Sequence, residues 1–529
     1  MLLLFGQYIL LILIILMLVM LSDKIRIAYP VMLVLAGLLL SFQSWIPSVK
    51  IDPELIFIIF LPPLLYEAAW HTSWKELWRW RRVIGSFAFL IVIVTSFVIA
   101  LVSTWLIPGF TLALGFLLGG IISPPDAVSA SSVLRFVKVP RRLQAILEGE
   151  SLLNDASSLI VFRFSIIAVS TGRFVFHEAA ISFVLVIVMG ILTGIAIGFV
   201  YYFLHTKLPT TPQIDVVLDI TTPYVMYIVA EALHFSGVLS VVAGGLFLSV
   251  RSHRFLGYRS RFLGNNVWSV LGFVLNGLIF MLIGLELPEI IQALEPVSMS
   301  TAIKYSLIIA AVLIVCRILS TLGASVFTVF ISRFITTADS RPGWRAPLLF
   351  GWAGMRGVVS LAAALSIPLY LNNGQPFPQR NLILFITFGV ILVTLVVQGL
   401  SFPLLIKWVN MGDPDGYPPD EVQLRQIRHT LAEESIRFLE MQKNEQVQHN
   451  SLLQQLKDKF RQEQYLQDGD GMSELTIFGK TYLAVLQHQR SVLFRLNKDP
   501  EVNEEVIRNY LVLLDMEEEK VRSRYEVED

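Results

Sequence analysis

Apolar residues gather in long blocks up to about residue 408, and polar positions are confined to the short stretches between them. Blocks of about 20 residues can cross a bilayer as helices. The pattern predicts about thirteen such helices, near residues 2–22, 27–46, 53–70, 83–107, 110–136, 143–170, 178–204, 215–234, 236–251, 266–287, 300–332, 345–370 and 380–408. The first block has no basic leading segment and no small-residue cleavage site, so it reads as a retained membrane helix. Past the turn-rich NMGDPDGYPPD the pattern changes. In EVQLRQIRHTLAEESIRFLEMQ, Leu424, Ile427, Leu431 and Phe438 recur at helical spacing with charge opposite, which predicts amphipathic helices. The expected chain is an all-α polytopic membrane protein, with a membrane part over 1–408 and a helical cytoplasmic tail over 409–529.

Composition agrees with the pattern. The 529 residues are 55% hydrophobic and only 16% charged, too little polar surface for a soluble protein of this length. Lys+Arg and Asp+Glu stand at 41 each, so net charge says nothing about nucleic acid or acidic partners, and no nucleic-acid partner is expected. The single cysteine, Cys316, excludes an internal disulfide and a cysteine metal site. Where the cations fall is more telling. They crowd alternate loops: Lys24 and Arg26; Lys75, Arg79, Arg81 and Arg82; Arg135, Lys138, Arg141 and Arg142; Lys207; Arg251, Arg254, Arg259 and Arg261; Arg333 and Arg341. The intervening loops are nearly bare, with Lys50, Arg173 and Arg380 among the exceptions. The positive-inside rule then places the N-terminus outside and the tail in the cytoplasm.

Two predicted spans are interrupted. TLALGFLLGGIISPPDAVSASSVLRF carries Pro124-Pro125-Asp126 at its centre, and proline removes a backbone donor and clashes one turn back. APLLFGWAGMRGVVSLAAALSIPL is broken by Gly351, Gly354 and Gly357 around Arg356. Paired breaks in two halves point to an inverted-repeat transporter with a midplane site. Packing kinks are the plainer explanation for the glycines, but not for an aspartate and an arginine at the break points.

Between the breaks lies LEGESLLNDASSLIVF, a membrane-type segment carrying Glu150, Ser151, Asn154 and Asp155. An ionised side chain at the bilayer centre costs at least ~2.5–3.5 kcal/mol. Ser151 stands one turn before Asp155, and Glu150 one turn before Asn154, so the four share one side of a helix. Oxygen ligands suit a hard monovalent cation. Asp155 offers a carboxylate, Ser151 a hydroxyl and the broken helix the carbonyl of Pro125, with Asp126 a second carboxylate nearby. The same carboxylate can hold a proton instead, which is the chemistry of exchange. A pair between Glu150 and Arg356 is expected to brace the two broken-motif helices. Arg163 and Arg317 also need partners, for which Glu67, Asp219, Glu231 and Glu286 are available. His71, His177, His205, His234 and His253 fall at span ends and read as interfacial.

FLPPLLYEAAW, SPPDAVSA, EGESLLNDA, YVMYIVAEALHFSGVLSVVAGGL, NGLIFMLIGLEL and GMRGVVSLAAALSIP occur in this order between about residues 55 and 370. The series resembles the monovalent cation:proton antiporters of the NhaP and sodium/proton-exchanger type. That resemblance implies a thirteen-helix homodimer with core and dimerisation parts, working by alternating access without a cofactor. It implies that Asp155 is the ion and proton carboxylate, that Asn154 orders the site, and that Ser151 and the Pro125 carbonyl are Na⁺ ligands. It further implies that Asp126 and Glu150 support the ion, and that Asn before Asp means electroneutral one-for-one exchange. Many relatives have Thr-Asp-Pro or Val-Asp-Pro at the break, whereas here proline precedes aspartate, which leaves Na⁺ (with Li⁺) against K⁺ open. A cation channel regulated by the tail would not need a proton-exchangeable carboxylate, and an ion sensor would not need paired broken helices. In the tail, no nucleotide-binding fingerprint occurs and DGDGMS is too short for an EF-hand loop. The tail reads as a small helical domain packing on itself or a dimer mate, with an unidentified regulator as the alternative.

Overall fold

The computed structural model describes residues 2–43, 53–137, 139–172, 176–292, 294, 297–331, 343–371, 374–411, 420–441, 451–465, 472–496 and 504–525. Lys50, Lys138, Arg173, Arg333, Arg341 and most of the linker before the tail lie outside these residues. The chain forms two compact units, Met1–Asp415 and Gly416–Asp529.

In the first unit the apolar blocks become helices, several of them started by a hydroxyl side chain placed just before the block. α1 (Leu2–Ile25), α2 (Tyr29–Leu40) and α3 (Pro53–His71) come first. α4 (Trp74–Gly85) is capped by Ser73, which accepts from the Glu76 N–H at 3.4 Å, and runs through a π-helical turn into α5 (Val92–Leu106). α6 (Leu112–Ile122) is capped by Thr111, and α7 (Ala127–Leu134) follows the double proline. α8 (Arg141–Thr171), α9 (Phe176–Lys207), α10 (Pro212–Ala232), α11 (Gly237–Phe255) and α12 (Tyr258–Leu285) are long helices, joined by α13 (Leu287–Gln292) to α14 (Met299–Ile331). α15 (Arg345–Trp352) and α16 (Val358–Leu365) flank the second break. α17 (Arg380–Val393) continues through a π-helical turn, Thr394–Gln398, into α18 (Gly399–Val409).

Eight helical stretches among the described residues are long and apolar enough to cross a membrane by length and composition. α9 shows what that means in side chains: Val184, Leu185, Val188, Leu192, Phe199 and Phe203 are exposed along it. A surface so apolar over so great a length suits lipid, not water.

Buried apolar side chains form two clusters. One gathers α2, α5, α6, α14 and α17; the other gathers α3, α9, α11 and Trp268 of α12. Helix α8 borders both. Leu143, Ile146 and Phe162 enter the first cluster, while Leu152 and Ala156 enter the second. The polar segment of α8 therefore sits at the seam. α5 and α6 touch through Gly115 and Gly119: a Cβ at Gly119 would lie 2.6 Å from the Ser96 carbonyl oxygen. Small residues at this spacing let membrane helices approach backbone to backbone.

The second unit contains α19 (Asp420–Met441), α20 (Ser451–Tyr465), α21 (Met472–Leu496) and α22 (Glu504–Tyr525). α21 and α22 bury Leu486, Ile507, Leu514 and Val521 and are tied by Arg490 to Asp515 at 2.5 Å and to Glu518. The helical spacing seen in α19 is present, but Leu424, Ile427, Leu431 and Phe438 all stay exposed.

Candidate functional site

The two breaks meet. α6 ends where Pro124 and Pro125 have no N–H to donate, and Asp126 starts α7 as its cap. One Asp126 carboxylate oxygen accepts from the Val128 N–H at 3.1 Å, and the other from the Ser129 hydroxyl at 2.5 Å. Across the crossing, the Asp126 N–H donates to the Met355 carbonyl at 2.7 Å, joining one break directly to the other. Gly357 makes this approach possible, because a Cβ there would sit 2.7 Å from Asp126 Cγ.

α8 packs against the crossing and satisfies its loose backbone groups. Ser151 Oγ accepts from the Ala127 N–H at 3.1 Å, supplying the first turn of α7 with an acceptor. Asn154 Nδ2 donates to the Pro125 carbonyl at 3.1 Å. The expected cluster is thus brought together, with Ser151 and Asn154 holding the broken helix and Pro125 and Asp126 at its break. Ser151 and the Pro125 carbonyl each keep a second lone pair.

Asp155 differs from its neighbours. It is 7% exposed, and among the described residues its carboxylate accepts no hydrogen bond; only its backbone carbonyl does, from Ser158. A buried carboxylate without donors is costly unless something else occupies it.

The expected bridge between Glu150 and Arg356 is not formed. Glu150 is fully buried and pairs with Arg317 of α14, whose Nη2 lies 2.9 Å from each carboxylate oxygen. Arg356 is drawn elsewhere. Its Nε donates to the Ile122 carbonyl at 2.8 Å and its Nη2 to the Ser123 carbonyl at 3.1 Å, while Nη1 caps Gly354. These carbonyls end α6, where a helix carries its partial negative charge and lacks intrahelical donors. A π-helical turn supplies the last tie, with Thr394 Oγ1 accepting from the Arg356 N–H at 3.2 Å.

The other candidate charges make no contact with this centre among the described residues, and Arg163, expected to be buried, is exposed. Arg163 pairs with Glu231, whose second oxygen accepts from the Gly237 N–H at 3.0 Å, starting α11. A cavity of about 290 Å³ beside this pair is lined by Phe57, Leu159, Phe162 and Tyr227. Glu67 lies against Gly272 of α12. Glu286 closes α12 as its last-turn cap residue. Asp219 joins His205, whose side chain is fully buried against Asp215 and Asp219 of α10 and the Phe255 ring of α11. Arg317 was the functional residue hardest to place from the sequence, and its signal was a lone arginine deep in an apolar block.

Known proteins resemble the chain in sequence and in fold. The chain resembles the "sodium, potassium, lithium and rubidium/H(+) antiporter" of Bacillus pumilus, with 36% identity over 391 residues, covering 71% of this chain and 57% of that relative's length. An uncharacterised Na⁺/H⁺ exchanger of Mycobacterium bovis is 31% identical over 511 residues, covering 94% of this chain and 92% of the relative. In fold it is similar to the sodium proton antiporter MjNhaP1 of Methanocaldococcus jannaschii, with a TM-score of 0.58, 18% identity and coverage of 77% of this chain and 99% of that one. The model of the transmembrane sodium/hydrogen exchanger family matches residues 9–408, a range that holds both breaks, the α8 polar cluster and both buried arginines. This chain belongs to the sodium/hydrogen exchanger family.

Proposed function

We propose that the chain is a secondary antiporter that exchanges Na⁺, with Li⁺ as a second cargo, for H⁺ at Asp155, by alternating access across the plasma membrane. The observation that carries this reading is the unoccupied hydrogen-bonding capacity of the Asp155 carboxylate, in a neighbourhood where Asp126, Ser151 and Asn154 are all engaged. A Na⁺ ion takes the Asp155 oxygens, the spare lone pairs of Ser151 and the Pro125 carbonyl; a proton takes Asp155 alone. Asp126 and Glu150 support the ion through the local field, and Asn154 keeps the Pro125 carbonyl aimed at it. Binding of one excludes the other.

The charge count supports one-for-one exchange. Asp126, Glu150 and Asp155 against Arg317 and Arg356 leave one negative charge, which either one Na⁺ or one H⁺ neutralises. Both loaded forms are then neutral, and a neutral site is the one that can move through a low-dielectric seam without the cost of a buried net charge. In this reading about thirteen spans form an inverted repeat, the N-terminus lies outside, the tail is cytoplasmic, the protein works as a homodimer and no cofactor takes part. The role is Na⁺, pH and volume homeostasis. A second reading, K⁺/H⁺ exchange, is favoured by the Bacillus relative, whose name includes potassium and rubidium.

Proteoliposomes with a preset pH gradient test both readings. Na⁺, Li⁺ and K⁺ are added in turn while internal pH and membrane potential are followed. Collapse of the gradient by Na⁺ at constant potential, absent in Asp155→Asn, supports the proposal. A response to K⁺ alone moves the cargo to the second reading, and cation entry without proton movement refutes exchange.

A further inference from the structure

The first unit buries a second titratable cluster that shares no residue with the Asp155 site. His205 stands in the last turn of α9, and its side chain is fully buried. Asp215 and Asp219 face it from α10, one turn apart and 6% and 3% exposed. His205 Nδ1 lies 2.9 Å from Asp215 Oδ1, and the other Asp215 oxygen accepts from the Ser260 hydroxyl of α12 at 2.7 Å. On the far side of the ring, Nε2 stands 3.6 Å from Asp219 Oδ1, and neither atom has a hydrogen-bond partner.

Among the described residues no other side chain hydrogen-bonds to either atom. α11 presents the apolar ring of Phe255, 5.2 Å from the imidazole. On α9, the Tyr201 hydroxyl is taken by Thr221 at 3.1 Å. α3 brings Tyr66 into the field of Asp219, with its hydroxyl also unpartnered. No cation other than His205 forms an ion pair with either aspartate among the described residues.

We propose that His205, Asp215 and Asp219 form a second proton-binding site, whose occupancy sets how firmly α9 is held to α10. The 3.6 Å gap is what a neutral ring protonated at Nδ1 leaves behind. One proton closes it from either side. Placed on Nε2, it makes an imidazolium that donates to both aspartates; placed on Asp219, it makes an acid that donates to Nε2. Both forms bring the cluster from two net negative charges to one, and both add a hydrogen bond between α9 and α10, charge-assisted in the imidazolium form. Loss of the proton leaves a buried carboxylate without a donor at the α9–α10 turn, the end that the positive-inside rule assigns to the cytoplasm.

The test is backbone hydrogen exchange of the full chain in lipid nanodiscs, read over the end of α9 and the start of α10. Measurements are made at about pH 6 and about pH 8.5, on either side of an ordinary imidazole. After correction for intrinsic exchange, the native protein should lose about tenfold or more in protection at the higher pH, the effect of one charge-assisted hydrogen bond. His205→Gln should show no such loss. Asp219→Asn, whose amide can donate to Nε2 without a proton, should remain protected at both pH values and stands as the test if His205→Gln does not fold. Asp155→Asn should keep the native response while losing exchange, so failure of the antiport reading and failure of this one are read separately. A flat native profile, a native-like response in either cluster variant, or loss of the response in Asp155→Asn overturns the proposal.

Discussion

Arg317→Met should be among the most damaging single substitutions in the membrane unit. Glu150 and Arg317 are 0% and 1% exposed at the side chain, so water neither screens the pair nor rehydrates the partner left behind. Arg317 Nε has no hydrogen-bond partner, and Nη2 lies 2.9 Å from both Glu150 oxygens while donating to Oε2, so the guanidinium is held by Glu150. Removing one member of such a pair costs about 3–5 kcal/mol, mainly because the remaining charge is stranded. The double variant Glu150→Gln/Arg317→Met strands no charge and should recover about 2–3 kcal/mol of that loss, the upper range for coupled neighbours. The same cycle run on Glu150 and Arg356 should give under about 1 kcal/mol, since Arg356 is held by the carbonyls of Ile122 and Ser123. Unfolding in detergent micelles, followed by tryptophan fluorescence against denaturant, measures all five variants and the native chain. The reasoning fails if Arg317→Met costs less than about 1 kcal/mol, or if Glu150 couples more strongly to Arg356 than to Arg317.

Gly357→Ala should disrupt the crossing of the two breaks, because the new methyl must displace the Asp126 carboxylate from α7; loss of exchange with a lowered unfolding temperature is expected, and native exchange would contradict the assignment. Ser151→Ala removes the acceptor of the Ala127 N–H, so it should lower stability by about 1 kcal/mol and weaken Na⁺ activation of exchange; an unchanged Na⁺ dependence would remove Ser151 from the ligand set. Asn154→Ala should free the Pro125 carbonyl and lower exchange further than Ser151→Ala does, a ranking that initial rates at fixed Na⁺ would settle. In the tail, hydrogen bonds from Arg490 and Arg522 hold the Glu518 carboxyl below its usual range. A depressed carboxyl stabilises the folded form at neutral pH and loses that contribution as pH falls through its folded value. Protection of α22 in hydrogen exchange should therefore decline below about pH 4, and Arg490→Gln should flatten the decline.

Local chemistry was legible along the chain. Pro124 and Pro125 cannot continue a helix in any surroundings, and the spacing of Glu150, Ser151, Asn154 and Asp155 puts them on one helix side whatever packs there. Those two facts, with the length of the apolar blocks, were enough to expect a membrane protein with a cation site at a broken helix. What tertiary structure decided were the partners of charges far apart in sequence. Arg356 looked like the natural mate of Glu150, yet the unfilled carbonyls at the end of α6 hold it, and Arg317 comes in from α14. His205 looked interfacial at the end of a span, but Asp215, Asp219 and the Phe255 ring enclose it in a buried cluster. The apolar stripe of α19 has the right period for packing, and still it remains exposed. Backbone preferences and helical spacing act within a few residues, so the order of residues determines them. Which charge meets which depends on helices crossing at a distance, where unsatisfied carbonyls and carboxylates compete for the same guanidinium and burial settles the outcome.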